Sequence, residues 1–179
     1  MRRWFILSAV GRDRPGIVAD LARLIFESEA NLEDSRMTIL GSEFAAIALC
    51  SGSGEDLERK LAEGARRLEW QGRLTVLLRP LEGEPRPPVP APGTHLAQVT
   101  AQGEDRAGIV AQVSQVLADR SVNIADLRSE GIVGPSGVAI YRLTLLVEIP
   151  DSLTDAELEK SLDEVGASLG IEVRLEALD

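Results

Sequence analysis

Two short loops of the sequence share one residue pattern, and their residue types suit the binding of a small charged molecule. The first loop, Asp13–Val18, reads Asp-Arg-Pro-Gly-Ile-Val, and the second, Asp105–Val110, reads Asp-Arg-Ala-Gly-Ile-Val. In each loop a glycine precedes an apolar stretch with helical spacing. Backbone N–H groups at such a helix N-terminus attract a small anion such as a carboxylate, and glycine lets the ligand approach closely. The carboxylates of Asp13 and Asp105 can accept hydrogen bonds from an ammonium group.

An asparagine follows each loop at the same distance. Asn31 and Asn123 lie 92 residues apart, which is also the offset between the two loops. Their side-chain carbonyl groups can accept hydrogen bonds from an ammonium group, and folding could bring each asparagine near the loop of a neighbouring domain. A carboxylate site beside ammonium acceptors is typical of α-amino-acid binding. The candidate ligand-binding residues are Asp13, Arg14, Pro15, Gly16, Ile17 and Asn31 in the first copy, and Asp105, Arg106, Ala107, Gly108, Ile109 and Asn123 in the second.

Structural roles are equally open for these residues. Asp13 and Asp105 are typical helix N-cap residues, and the asparagines are typical left-handed residues at a helix C-terminus. The two glycines can serve close packing of helix against strand. Arg14 and Arg106 are typical surface charges.

The repeat extends to the elements that must position both loops. Each copy has hydrophobic patterns in the order β-α-β-β-α-β, which predicts an α+β protein with two ferredoxin-like units, each an antiparallel sheet with helices on one face. Residues 81–93 lie between the copies, and residues 80–93 carry six of the nine prolines, as expected of a semi-extended linker. The predicted domains are therefore residues 1–80 and 94–179.

Helix ends are predicted from local signals. Pro15 fits the first turn of a helix, which makes Asp13 or Arg14 the expected N-cap and places the helix end near Ala30. Capping arrangements are predicted at the second helix of each copy, by Ser53 with Asp56 and by Thr154 with Glu157.

Composition argues against several classes of protein. There is one histidine, His95, and one cysteine, Cys50, and no nucleophile, metal-ligand or phosphate-loop motif accompanies them. The net charge is −10, all of it in residues 81–179, and no basic stripe favours nucleic acid. No apolar run reaches transmembrane length. We therefore expect a cytoplasmic protein that is not an enzyme, has no cofactor and no bound metal, and binds neither nucleic acid nor membrane directly.

At the two loops and the two asparagines the sequence resembles the ACT domain, a module that senses small molecules. Asp13–Val18 with Asn31–Asp34 matches its most recognisable parts, and Asp105–Val110 with Asn123–Asp126 repeats them, with Ala107 in place of proline. Two ACT-like domains joined by a proline-rich linker resemble the glycine cleavage system transcriptional repressor family. The resemblance covers nearly all of both halves.

The resemblance implies amino-acid binding, for example of glycine, where adjacent ACT domains meet. It also implies regulation through another protein, a LysR-type transcriptional activator in that family, and a homodimer, since ACT sheets pair side by side. Two alternatives remain: an ACT interaction module that needs no ligand, and a detached regulatory subunit of an amino-acid-metabolic enzyme. The clean second loop at Asp105–Gly108 departs from the family pattern and leaves open whether one or both repeats bind a ligand.

Overall fold

The computed structural model describes residues 1–85, 90–133 and 139–178. The chain divides into two compact units, Met1–Pro87 and Pro88–Asp179, with the division inside the predicted linker. Residues 86–89 of that linker and the predicted turn at 134–137 lie outside the described residues.

Both units have the predicted element order. Unit 1 contains β1 (Arg2–Arg12), α1 (Ile17–Glu27), β2 (Asn31–Leu40), β3 (Glu43–Ser53), α2 (Leu57–Gly72) and β4 (Leu74–Leu81). Unit 2 contains β5 (Thr94–Glu104), α3 (Ile109–Asp119), β6 (Asn123–Val133), β7 (Ala139–Pro150), α4 (Asp155–Leu169) and β8 (Glu172–Ala177). The strand orders are β2-β3-β1-β4 and β6-β7-β5-β8, and all neighbouring strands are antiparallel. The prediction of two ferredoxin-like units is confirmed.

Each core lies between one face of the sheet and its two helices. In β1 the buried residues alternate with exposed or half-buried ones, as expected of a strand with one covered face. Phe5, Leu7 and Ala9 are fully buried and belong to one cluster with Leu21 of α1 and Leu61 of α2. A corresponding cluster fills unit 2. Burying such alternating side chains is the main favourable contribution to folding.

The start of α1 differs from the prediction. The helix begins at Ile17, after Gly16 with a left-handed φ of 92°, and no side chain caps it. Asp13 instead extends the pairing of β1 with β3, because its backbone N–H donates to the carbonyl of Ser42 at 2.8 Å. The N-cap prediction for Asp13 and Arg14 is therefore wrong, because a left-handed residue separates them from the helix.

Unit 2 repeats this helix start. Gly108 precedes α3 with a φ of 98° and no side-chain cap. The backbone N–H of Asp105 donates to the carbonyl of Ala139 at 3.2 Å, so Asp105 also continues a strand pair. The N-cap role is wrong for Asp105 as well.

The helix C-termini exclude the capping role for the asparagines. α1 ends at Glu27, before the predicted Ala30, and Glu29 takes the left-handed conformation there. In unit 2 the left-handed residue is Ser121. Asn31 and Asn123 are instead the first residues of β2 and β6.

The two predicted capping arrangements have different outcomes. Thr154 and Glu157 form a complete capping box, in which each side chain bonds the other residue's backbone N–H, which confirms that prediction. The arrangement at Ser53 is wrong, because Ser53 is the last residue of β3 and α2 starts only after Asp56.

Candidate functional site

The two loops present helix N-termini at one end of each sheet. The first bond within α1 runs from the Asp20 N–H to the Gly16 carbonyl at 2.9 Å, and in α3 the Gln112 N–H donates to the Gly108 carbonyl at the same distance. The N–H groups of the three residues before each donor precede the first helical bond, and such groups are open to an anion. Gly16 and Gly108 are both exposed.

Asp13 and Asp105 lie exposed beside these helix starts. Their backbones are fixed by the strand bonds described above, while their carboxylates are not used as helix caps. Both carboxylates thus remain available as acceptors at the loops. Pro15 and Ala107 are exposed in the turn before each helix, and Ile17 and Ile109 are buried beneath it.

The arginine side chains of the loops serve the fold. Arg14 donates to the Asp20 carboxylate at 2.7 Å, and Nη2 of Arg14 would lie 3.3 Å from a Cβ atom built on Gly72, where α2 ends. Arg106 pairs with Glu104 at 2.8 Å and similarly approaches Gly170, the C-cap of α4. A helix C-terminus favours a nearby cation. We therefore expect Arg14 and Arg106 to contribute only backbone groups to ligand binding at the loops.

A cleft of about 410 Å³ lies on the helical side of unit 1, between α1 and α2. Half of its lining residues are charged, including Arg14, Asp20, Glu27 and Arg67. Ion pairs join Arg14 to Asp20 and Arg67 to Glu27, at 2.7 Å and 2.6 Å, so most of this charge is neutralised within the protein. The cleft does not include Asn31.

The asparagines lie at the other end of each sheet. Asn31 is opposite Ser51, and Ser51 is opposite Trp4 of β1, whereas Asp13 follows the far end of β1. The eight residue steps from Trp4 to Arg12 span roughly 25 Å of strand. In unit 2 Asn123 is opposite Glu148, which pairs with Leu96, and Glu104 again lies eight residue steps further along β5. One domain thus does not bring its own loop and asparagine together.

The side chains around Asn31 form a neutralised polar cluster. Glu33, at a bulge in β2, accepts hydrogen bonds from Ser51 Oγ and Arg2 Nη2, both at 2.5 Å. These bonds, first that of Ser51, lower the pKa of Glu33. The Arg2 guanidinium also lies over the Trp4 ring, 4.8 Å from its centroid. A carboxylate beside Asn31 is therefore already paired.

Asn123 has a different neighbour. Its Nδ2 donates to Glu148 Oε2 at 3.2 Å, which leaves its Oδ1 to accept. Glu148 occupies the position in β7 that Ser51 occupies in β3. Among the described residues, no ion pair joins Glu148 to a cation.

Sequence reasoning missed these neighbours. Arg2, Ser51 and Glu148 come to the asparagines only through the register of strands far apart in sequence. Glu33 is the exception, because it is close to Asn31 in the chain, but its role depends on the bulge.

Features typical of other functional classes are missing from the parts of the chain that the structure covers. No helix there is long and apolar enough to cross a membrane. No group of three or more His, Cys, Asp or Glu side chains is placed to hold a metal ion across residues 1–85, 90–133 and 139–178.

Two βαββαβ units with matching loops define a tandem of two small ferredoxin-like domains. The sequence matches the ACT domain over residues 3–75 and again over 95–176. The chain belongs to the ACT-domain family, with two ACT domains in tandem.

Similarity to known proteins extends over both domains. The glycine cleavage system transcriptional repressor of Escherichia coli (strain K12) is 31% identical over 129 residues, which is 72% of this chain and 65% of that protein. The match thus spans slightly less than two thirds of the relative's length. It confirms the resemblance to that family inferred from the sequence.

Two solved structures match over the whole chain. An unknown protein from Galdieria sulphuraria superposes with a TM-score of 0.80 at 29% identity, covering 100% of both chains. The crystal structure of a protein described as a putative glycine cleavage system transcriptional repressor gives a TM-score of 0.76 at 21% identity, covering 100% of this chain and 99% of that one. The similarity to this second structure shows that the two proteins share a fold.

Proposed function

We propose that this protein is a non-enzymatic regulator that responds to a small amino acid such as glycine and acts on a transcriptional regulator by protein contact. The ligand binds where the loop of one ACT domain meets the asparagine of a neighbouring one. The observation that carries this proposal is the duplicated helix start, with an exposed left-handed glycine in both domains. The similarity to the Escherichia coli repressor supports the regulatory role.

The loop supplies the site for the ligand's carboxylate. Three N–H groups precede the first helical bond in each domain, and the partial positive charge of the helix end reinforces them. Gly16 and Gly108 hold the backbone in the left-handed turn that exposes these groups. Asp13 and Asp105 lie beside the same helix ends and can accept from the ligand's ammonium group.

The asparagines complete the site from another domain. Since roughly 25 Å of strand separates the two ends of each sheet, a ligand of amino-acid size cannot contact the loop and asparagine of a single domain. A ligand held by both therefore favours one arrangement of domains over others. The ligand shifts the equilibrium between two domain arrangements only by the difference in its affinity for them. A protein partner that contacts one arrangement would be affected by this shift.

The two asparagines offer different environments. Among the described residues, the Asn123 carbonyl oxygen has no hydrogen-bond donor and the neighbouring carboxylate of Glu148 has no ion-pair partner, and both groups favour an ammonium ion. Beside Asn31 the carboxylate of Glu33 is already neutralised by Arg2. We therefore expect the site that uses Asn123 to be the tighter one.

Calorimetric titration of asparagine variants tests this assignment. A hydrogen bond to a charged group contributes about 1.5–3 kcal/mol, so Asn123→Ala should weaken binding of the preferred amino acid by about tenfold or more. Asn31→Ala should have a smaller effect. Gln115→Ala is the matched control, because it removes an exposed amide that bonds Asp119 within α3. If both asparagine variants bind like the unmodified protein, the asparagines do not contact the ligand.

A further inference from the structure

The face of the unit 1 sheet that points away from the helices carries exposed apolar side chains on β1, β3 and β4, bordered on β2 by Arg36, which lies opposite Ile47. Its central row places Ile47 of β3 and Leu77 of β4 on either side of Ser8 in β1. Val10, Ile47 and Leu77 are 50%, 47% and 63% exposed. Ile6 and Leu49, one row further along, are half-buried. We call Ile6, Val10, Ile47, Leu49 and Leu77 the apolar sheet face.

Unit 2 carries polar residues at four of the five matching positions of its own sheet, and Leu146 matches Leu49. There the central row consists of Thr144, Thr100 and Arg174, in place of Ile47, Ser8 and Leu77. Gln98 and Gln102 stand where unit 1 has Ile6 and Val10. The fold alone therefore does not require an apolar surface on this face. Contiguous exposed apolar side chains of this kind typically mark a site of protein contact.

Charge favours contact between two copies of this face. Residues 1–80 carry equal numbers of acidic and basic side chains, while residues 81–179 carry the whole net charge of −10. Two copies that meet through unit 1 bring neutral halves together, whereas contact through unit 2 opposes two acidic surfaces. The polar face of unit 2 is not complementary to an apolar surface. A second apolar sheet face is complementary to it, and self-complementary patches of this kind form two-fold dimers.

We propose that two copies of this protein associate face to face through the apolar sheet faces of their first ACT domains. The two sheets would pack about 10 Å apart, with the side chains of Ile47 and Leu77 near the centre. This contact uses the open sheet face, whereas the expected side-by-side pairing of ACT sheets uses strand edges.

The size of the face predicts a weak but specific dimer. The whole sheet face comprises the apolar sheet face and its polar border on β2: four strands spaced about 4.8 Å apart, each with about eight residues, which project roughly 500 Å² per partner. Two such faces give about 1,000 Å² in total, near the lower limit of specific interfaces. Association should therefore depend on concentration over the micromolar range.

Sedimentation equilibrium of the full chain, without ligand, tests this proposal. The unmodified protein should show a monomer–dimer equilibrium, and Ile47→Glu should weaken it at least tenfold by placing a charge in the contact. Thr144→Glu makes the same change at the matching position of unit 2 and should leave the equilibrium unchanged. Because Ile47 is half exposed, its replacement spares the core, and an unchanged far-UV circular dichroism spectrum would confirm folding. Leu77→Glu provides an independent variant on β4.

Three results would overturn the proposal. The first is that the unmodified protein stays monomeric at several hundred micromolar. The second is that both Ile47→Glu and Leu77→Glu leave the dimer intact. The third is that Thr144→Glu weakens the dimer as much as Ile47→Glu does. An intact dimer in the unit 1 variants would point to strand-edge pairing. The proposal does not rest on amino-acid binding, and its outcome leaves the ligand site untested in either direction.

Discussion

Replacement of Gly16 by alanine tests the geometry of the first loop. At a φ of 92° the residue is left-handed, a conformation that costs an L-amino acid about 1–2 kcal/mol. A Cβ atom there would meet only Arg14 Nη1, at 3.8 Å, so the cost is backbone strain and not a clash. Alanine also restricts the unfolded chain, which returns about 0.4–1 kcal/mol. We expect Gly16→Ala to lower the free energy of unfolding by about 1 kcal/mol.

Thermal and urea unfolding measure this change. A loss of 1 kcal/mol lowers the melting temperature of a 60–100-residue domain by about 4–8 °C. Gly16→Asn should lose less, because asparagine tolerates the left-handed region. Gly131→Ala is the matched control: no positive φ is found there and no atom lies within 4 Å of an added Cβ, so stability should stay the same or rise. If Gly16→Ala is as stable as the unmodified protein, the left-handed turn is not what requires glycine.

Three further predictions concern individual side chains. Thr154→Ala removes the capping box with Glu157 and should destabilise unit 2 by about 1 kcal/mol, measured by urea unfolding. The pKa of His95 is raised, mainly because Asp155 bonds its ring at 2.8 Å. Its stabilising contribution should therefore be complete below pH about 6.5 and disappear as the pH rises through the raised pKa, so the difference in melting temperature from His95→Gln should vanish at alkaline pH. Burial raises the pKa of the Cys50 thiol to about 11, so a thiol reagent at pH 8 should label it only after unfolding; rapid labelling of the folded protein would contradict its burial.

Local signals explain how much of the fold is predictable from the sequence. Alternating burial in β1, apolar helical spacing in α1 and the capping box at Thr154 each identify an element from adjacent residues. The start of α1 is different, because Pro15 and Gly16 give conflicting signals. Proline fits a first helical turn, but the left-handed glycine after it moves the helix start to Ile17. The spacing of Val18 from Leu21 and Ile25 predicts a place on the apolar face of the helix, but Val18 is 54% exposed.

The candidate site is less predictable, because strand register determines it. The sequence identifies both loops and both asparagines through the repeat, but it does not show that they lie at opposite ends of a sheet. That follows from the pairing of Asn31 with Ser51 and of Ser51 with Trp4. The contrast between Glu148 and Ser51 beside the two asparagines also depends on these long-range pairs.

A thermal-shift screen of the purified protein against the amino acids, confirmed by calorimetry, tests the central claim most directly. A ligand at about 100 times its Kd adds roughly 2.7 kcal/mol of stability, which such a screen detects readily. Amino-acid sensing predicts selective stabilisation by glycine or another small amino acid, reduced in Asn123→Ala. No stabilisation by any amino acid, with the protein folded throughout, would contradict amino-acid sensing by this protein.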